Sequence, residues 1–178
     1  MAKQAIIMDD MALKRALARI AHEIVERNNG VEEVCLIGVK RRGIPMAKYL
    51  SELIQSFEGV AVPVGEIDIT WYRDDLSQEQ KDPQLNGCNV PFEIKDKIVV
   101  IVDDVIYTGR TARAALDQIM DIARPRRVQL AVLIDRGHRE LPLRPDYVGK
   151  NLPTSSREVV KVMLPEYDGE YKVMLYSE

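Results

Sequence analysis

The stretch Val99-Val100-Ile101-Val102-Asp103-Asp104-Val105-Ile106-Tyr107-Thr108-Gly109-Arg110-Thr111 decides the fold. Its apolar run is far too short to cross a bilayer and reads as a strand buried on both faces, the pattern of a parallel sheet. The strand delivers two adjacent carboxylates, Asp103 and Asp104, to its C-terminal end. A short loop with Gly109 and two threonines then opens a helix. In open α/β sheets, ligands bind at the carboxyl ends of strands. A helix N-terminus offers free N–H groups and positive dipole charge to a phosphate. Thr108 and Thr111 add hydroxyl donors, and Gly109 lets the backbone approach closely. The two acids would repel that phosphate, so a different task suits them: a carboxylate accepts hydrogen bonds from sugar hydroxyls. The spacing describes a cradle for a ribose 5-phosphate. A bare acidic helix start is the weaker alternative. No G-x-x-x-x-G-K-[ST] pattern occurs, which disfavours a P-loop kinase.

Outward from this segment, apolar strands alternate with helices. A helix is expected from Asp10 to Arg27, capped by Asp9 or Asp10, stopped at Asn28-Asn29-Gly30, and buried along Leu13, Leu17, Ile20 and Ile24. Strands are expected at Val34–Val39, Val60–Ile69 (interrupted by Pro63 and Gly65), Ile98–Val102 and Val128–Ile134. Helices fall at Ile44–Phe57, with Pro45 in the first turn, and at Thr111–Ala123, ended before Pro125. Val159–Met163 and Tyr171–Tyr176 suggest a small antiparallel addition. The expected class is α/β, with a parallel sheet covered by helices on both faces. The chain has 178 residues, the length of one domain. Lys+Arg number 25 against Asp+Glu 28, a net charge of −3, which excludes a wholly basic nucleic-acid coat but not a local basic patch. Two cysteines, Cys35 and Cys88, exclude a disulfide scaffold and a four-cysteine zinc site. The opening Met1-Ala2-Lys3-Gln4-Ala5 lacks a signal-peptide core, so a cytoplasmic setting is expected.

Three further segments carry chemistry. Gly38–Gly43 leaves a strand and enters a helix with Lys40, Arg41 and Arg42 held between glycines; cations there suit a diphosphate, or are simply solvated. The polar stretch Arg73–Asn89 is a long loop, either a lid that brings Arg73 over a ligand or a surface insertion. Arg15, Arg19 and His22 share one helix face opposite the apolar stripe, and His138, Arg139, Arg144 and Lys150 form a second basic segment. A solvated face explains either alone. Together they suit phosphate contacts and stacking on unpaired RNA bases.

The Val99–Thr111 segment resembles the ribose-phosphate signature of type I phosphoribosyltransferases. The resemblance extends over nearly the whole chain. Arg15–His22, Gly38–Gly43, Asp68–Asp75 and Asp135–Pro142 are similar to the branch that joins uracil phosphoribosyltransferase activity to attenuation of pyrimidine operons. It implies a parallel sheet core, a flexible loop, a small hood and a homodimer or higher homo-oligomer. It implies 5-phosphoribosyl diphosphate, uracil and UMP as ligands and Mg²⁺ carried mainly by the substrate diphosphate, with no dedicated protein metal site. Arg73, Asp103 and Asp104 would be catalytic. Lys40–Gly43 would be the diphosphate loop, and Val105, Ile106, Tyr107, Thr108, Gly109, Arg110 and Thr111 the phosphate loop. Backbone near Arg136 and Gly137 would hold the base. The two basic segments would bind the leader of a pyrimidine operon's messenger RNA. Pro145–Pro153 resembles the base-binding hood strand of hypoxanthine-guanine enzymes, which carry an aspartate just before the Thr-Gly pair. Here Tyr107 stands at that position, and a phenol of pKa near 10 is a poor base. The alternatives are a purine phosphoribosyltransferase and an RNA-binding regulator whose nucleotide pocket senses without turnover.

Overall fold

A computed structural model describes residues 3–70 and 87–177. Its elements are β1 (Lys3–Met8), α1 (Asp10–Arg27), β2 (Val34–Val39), α2 (Gly43–Glu58), β3 (Val64–Ile67), β4 (Ile98–Ile106), α3 (Arg110–Ile122), β5 (Arg127–Asp135), β6 (Tyr147–Asn151), β7 (Glu158–Met163), α4 (Pro165–Asp168) and β8 (Lys172–Ser177). Five strands form a parallel sheet in the order β3-β2-β4-β5-β6. β1, β8 and β7 form a separate antiparallel sheet, the hood.

All six residues of β2 and the first five of β4 are buried, as strands covered on both faces must be. One face packs against α1 and α2 through Leu13, Leu17, Ile20, Ile24, Met46, Leu50 and Ile54; the other packs against α3 through Ala112, Ala115 and Ile119. Each of those large aliphatic side chains contributes about 1.5–3 kcal/mol by leaving water. Asp9 is the cap of α1, accepting from the Ala12 N–H at 2.8 Å. Asn28 closes the helix and joins a buried polar group: its Nδ2 donates to Gln129 Oε1 at 3.1 Å, and Tyr147 Oη donates to the same oxygen at 2.8 Å. Burial among apolar neighbours pushes the Cys35 thiol up to about 12, so this cysteine is a small hydrophobe and not a nucleophile.

Four elements differ from the sequence expectation. β4 runs on to Ile106, so Asp103 and Asp104 lie in the strand and not beyond it. β3 shrinks to Val64–Ile67, because Pro63 has no N–H for the ladder; its carbonyl still accepts from Leu36 N at 2.9 Å. Residues 145–153 do not supply a hood strand. They form β6, parallel to β5 at the edge of the main sheet, anchored by the buried Tyr147 ring. β1 had no expected counterpart: its pairing partner β8 lies at the other end of the chain, and six residues alone carry little pattern. Among the described residues, no helix is long and apolar enough to cross a membrane.

Candidate active site

The loops that follow β2, β4 and β5 meet at the carboxyl edge of the main sheet. Parallel pairing of β2 with β4 and of β4 with β5 puts those three ends side by side. The turn from β2 into α2 is pressed onto β4. A Cβ on Gly38 would lie 2.6 Å from Ile44 Cα, and one on Gly43 would lie 3.2 Å from the Val102 carbonyl carbon and 3.4 Å from Asp103 Cα. Glycine is the residue that fits at both points. The result is that the loop carrying Lys40, Arg41 and Arg42 turns against β4, close enough for the Arg42 charge to act on Asp104; the Lys40–Arg41 peptide is cis.

Successive side chains of a strand point to opposite faces. Asp103 accordingly lines a cavity of about 320 Å³ on the α3 face, with Tyr107, Thr108, Gly109, Arg110, Thr111, Leu130 and Val132. Asp104 lies on the α2 face, where the Arg42 cation acts on it. Burial, and then the charge of its neighbour, hold the Asp103 carboxyl well above the ordinary carboxylate range. Burial raises Asp104 as well, while hydrogen bonds from the Asp103 side and Val105 N and the Arg42 charge oppose it. The Asp103 side chain accepts from Asp104 N at 2.9 Å, and that of Asp104 from Val105 N at 2.8 Å.

The loop Tyr107–Gly109 enters α3 with Gly109 in the left-handed region at φ 95°, and Thr108 Oγ1 accepts from Arg110 N at 3.3 Å. The loop is braced from behind. Thr108 O accepts from Glu140 N at 2.8 Å, Arg110 Nε pairs with Glu140 at 3.0 Å, and Arg139 Cδ approaches within 3.3 Å of where a Gly109 side chain would start. The start of α3 opens onto the cavity lined by Asp103, Tyr107, Thr108, Arg110 and Thr111, with Asp104 on the other face of the strand. Free amides at a helix end suit an anion, and carboxylates suit hydroxyl donors.

The phosphoribosyl transferase domain model matches residues 3–166. The chain belongs to the phosphoribosyltransferase family. Relatives at the sequence level are the bifunctional protein PyrR of Alkaliphilus metalliredigens, 58% identical over 98% of this chain and 96% of that one, and the PyrR of Acetivibrio thermocellus, 61% identical over 95% and 92%. A solved hypoxanthine phosphoribosyltransferase from Trypanosoma cruzi superimposes with a TM-score of 0.74 at 20% identity, covering 97% and 94% of the two chains, so the fold is the type I phosphoribosyltransferase fold.

In this phosphoribosyltransferase, residues foreseen from sequence for the base are engaged in ways the sequence did not reveal. Arg136 is buried: Nε donates to Thr154 Oγ1 at 3.1 Å, while Nη2 donates to both Ser155 O at 3.1 Å and Glu158 O at 2.8 Å. Its guanidinium lies 4.0 Å from the Tyr107 ring centroid, and His138 meets the same ring edge-on at 5.5 Å. Gly137 N donates to Asp135 Oδ1 at 3.0 Å. Arg73 lies outside the described residues, as does most of the Arg73–Asn89 loop.

The basic residues divide. Arg15, Arg19 and His22 are exposed on α1, and Lys150 is exposed on β6. Arg19 joins the two elements, donating to Val148 O at 3.1 Å and Gly149 O at 2.5 Å and pairing with Glu23 at 3.0 Å. His22 stacks on Phe57, with ring centroids 4.0 Å apart. Arg144 is exposed at the rim of a cavity of about 930 Å³ that His138 also lines. Arg139 differs: Nε, Nη1 and Nη2 donate to Leu143 O at 2.8 Å, Tyr107 O at 2.7 Å and Asp135 at 2.7 Å, so its guanidinium is committed inside the protein.

Sequence reasoning missed three residues that hold the Lys40–Gly43 loop. Asp68 pairs with Lys40 at 3.2 Å; burial alone would raise it, but hydrogen bonds from Thr70 and Lys40 more than offset this and lower it. Tyr167 and Asp168 of α4 contact Arg41 and Arg42. Asp68 lay within a stretch that carried the resemblance, but nothing local in the sequence links the hood residues to the loop.

Proposed function

We propose that this protein is a uracil phosphoribosyltransferase that makes UMP and diphosphate from uracil and 5-phosphoribosyl diphosphate, and that it also regulates pyrimidine genes by binding leader messenger RNA and attenuating transcription. The observation that carries the enzyme reading is the pair Asp103 and Asp104 at the end of β4, set between a cationic glycine-flanked loop and an amide-lined helix start. The α3 N-terminus with Thr108 and Thr111 holds the 5-phosphate. Asp103 and Asp104 accept from the ribose hydroxyls. Lys40, Arg41 and Arg42 receive the diphosphate, and Arg73 is assigned to it from the loop.

In the reaction the bond from the anomeric carbon to the diphosphate oxygen breaks, and the bond to uracil N1 forms. The N1 proton leaves to water or to the departing diphosphate. Positive charge that develops on the ribose is stabilised by the two carboxylates; negative charge on the leaving group is stabilised by the loop cations. Positioning supplies much of the remaining acceleration. The oxygen donors present, Asp103 and Asp104 beside a diphosphate site, suit Mg²⁺, which takes carboxylate, phosphate and water ligands. When bound, Mg²⁺ neutralises diphosphate charge.

Tyr107, whose ring is covered by Arg136 and His138, puts no carboxylate at the base; this favours uracil over a purine. PyrR relatives at up to 61% identity support the joint reading. The RNA face is assigned to Arg15, Arg19, His22, Lys150, Arg144 and His138 around the β6 edge, with Arg139 as an internal brace. The setting is cytoplasmic and the assembly a homodimer or larger, to be measured by sedimentation. The deciding assay follows diphosphate release with uracil, hypoxanthine and guanine. Turnover with uracil alone is expected. Turnover with the purines alone overturns the base assignment, and UMP binding without turnover replaces the enzyme with a sensor. Affinity for a pyrimidine leader transcript is expected to fall steeply with salt and to rise with UMP.

A further inference from the structure

Three consecutive cations, Lys40, Arg41 and Arg42, repel one another, so something must hold them in one arrangement before a diphosphate arrives. Lys40 has Asp68 at 3.2 Å. The two arginines share a single side chain from the hood. Tyr167 of α4 places its ring centroid 4.9 Å from Arg41 Cζ and 5.8 Å from Arg42 Cζ, and its hydroxyl donates to Arg41 O at 3.2 Å. Its neighbour Asp168 pairs with Arg42 at 3.1 Å, and Arg42 Nε donates to Val162 O at 2.7 Å. Tyr167 is 41% exposed, so its ring is not there to fill the core. What it touches is the loop: one cation on the ring, a second within reach of it, and the backbone between them.

We propose that Tyr167 is a positioning residue that locks the Lys40–Gly43 loop in its diphosphate-receiving form and so couples the hood to the leaving-group site. This rests on the diphosphate reading of that loop. A ring face attracts a guanidinium without neutralising it, so the ring contact keeps the Arg41 charge available to an incoming diphosphate, whereas Arg42 and Lys40 are already paired with Asp168 and Asp68. The hydrogen bond fixes the peptide that sets where Arg41 and Arg42 leave the backbone.

The test compares Tyr167→Phe and Tyr167→Leu. Phe keeps the ring and loses the hydrogen bond, worth roughly a 3-fold rise in KM for 5-phosphoribosyl diphosphate. Leu loses both, and the expected rise is about 10-fold or more. KM for uracil is expected to stay within about 2-fold, and the Phe variant to recover most of what Leu loses. Binding of inorganic diphosphate with Mg²⁺, measured by calorimetry, should weaken in the same order. Wild-type KM and diphosphate affinity in a folded Leu variant overturn the proposal. So does a loss shared equally by both substrates, which would mean general destabilisation. If the wild-type protein shows no turnover, the enzyme reading fails, and the calorimetric series still decides the role of Tyr167.

Discussion

Replacing Gly43 by alanine tests the packing that puts the cationic loop beside Asp103. The new Cβ would lie 3.2 Å from the Val102 carbonyl carbon, 3.4 Å from Asp103 Cα, and well inside contact with the Val102 oxygen. Carbon–oxygen contacts settle at about 3.3–3.6 Å, so the two backbones must part by about 1 Å. Both sides are backbone in regular elements, and no flexible side chain can swing away. Overpacking costs about 1–3 kcal/mol, and the upper end applies here. At this chain length that is roughly 6–12 °C in Tm. The displaced loop carries Lys40–Arg42, and a misplacement of about 1 Å at a reacting centre costs about 100-fold in rate. The control is Gly59→Ala. Gly59 ends α2 at φ 73° with no atom within 4 Å of a new Cβ, so alanine there costs about 1–2 kcal/mol of backbone strain and leaves turnover alone. Differential scanning calorimetry and steady-state kinetics read both variants. A Gly43→Ala protein with wild-type Tm and kcat/KM refutes the close approach. One that loses Tm but keeps kcat/KM severs the loop from the chemistry.

Asp103→Asn is expected to abolish most turnover yet stabilise the protein at neutral pH. The folded carboxyl sits above its unfolded value, so its ionisation opposes folding as pH rises from about 4. The gain in Tm should therefore be larger at pH 7.5 than at pH 4; equal gains at both would contradict the burial argument. Arg139→Ala strands Asp135 Oδ2, Tyr107 O and Leu143 O and should cost about 2–3 kcal/mol and impair turnover through the Tyr107–Gly109 loop. A native Tm would show the brace to be dispensable. Arg15→Ala should leave Tm and turnover unchanged while weakening binding to a pyrimidine leader transcript, and unchanged RNA affinity would move the RNA face elsewhere.

Wherever the physics was local, the sequence alone determined the outcome. The apolar run of β4 carrying Asp103-Asp104 and followed by Thr108-Gly109 announces a buried strand, a pair of carboxylates near its end and a helix opened by a glycine, because strand burial and glycine freedom act over a few residues. The Leu13–Ile24 stripe likewise announces α1 and its buried face. What tertiary structure decided involves partners far apart in the chain. Residues 145–153 became the edge of the main sheet and not part of the hood because β5 offered them a parallel ladder. Arg139 and Arg136, read as surface or substrate cations, were drawn inside by carbonyls that only the folded loops bring near. The clamp of Tyr167 and Asp168 on Arg41 and Arg42 spans some 126 residues. A hydrogen bond or ring contact over that separation leaves no periodicity in sequence, since it is specified by the packing of whole sheets and not by any neighbouring residue.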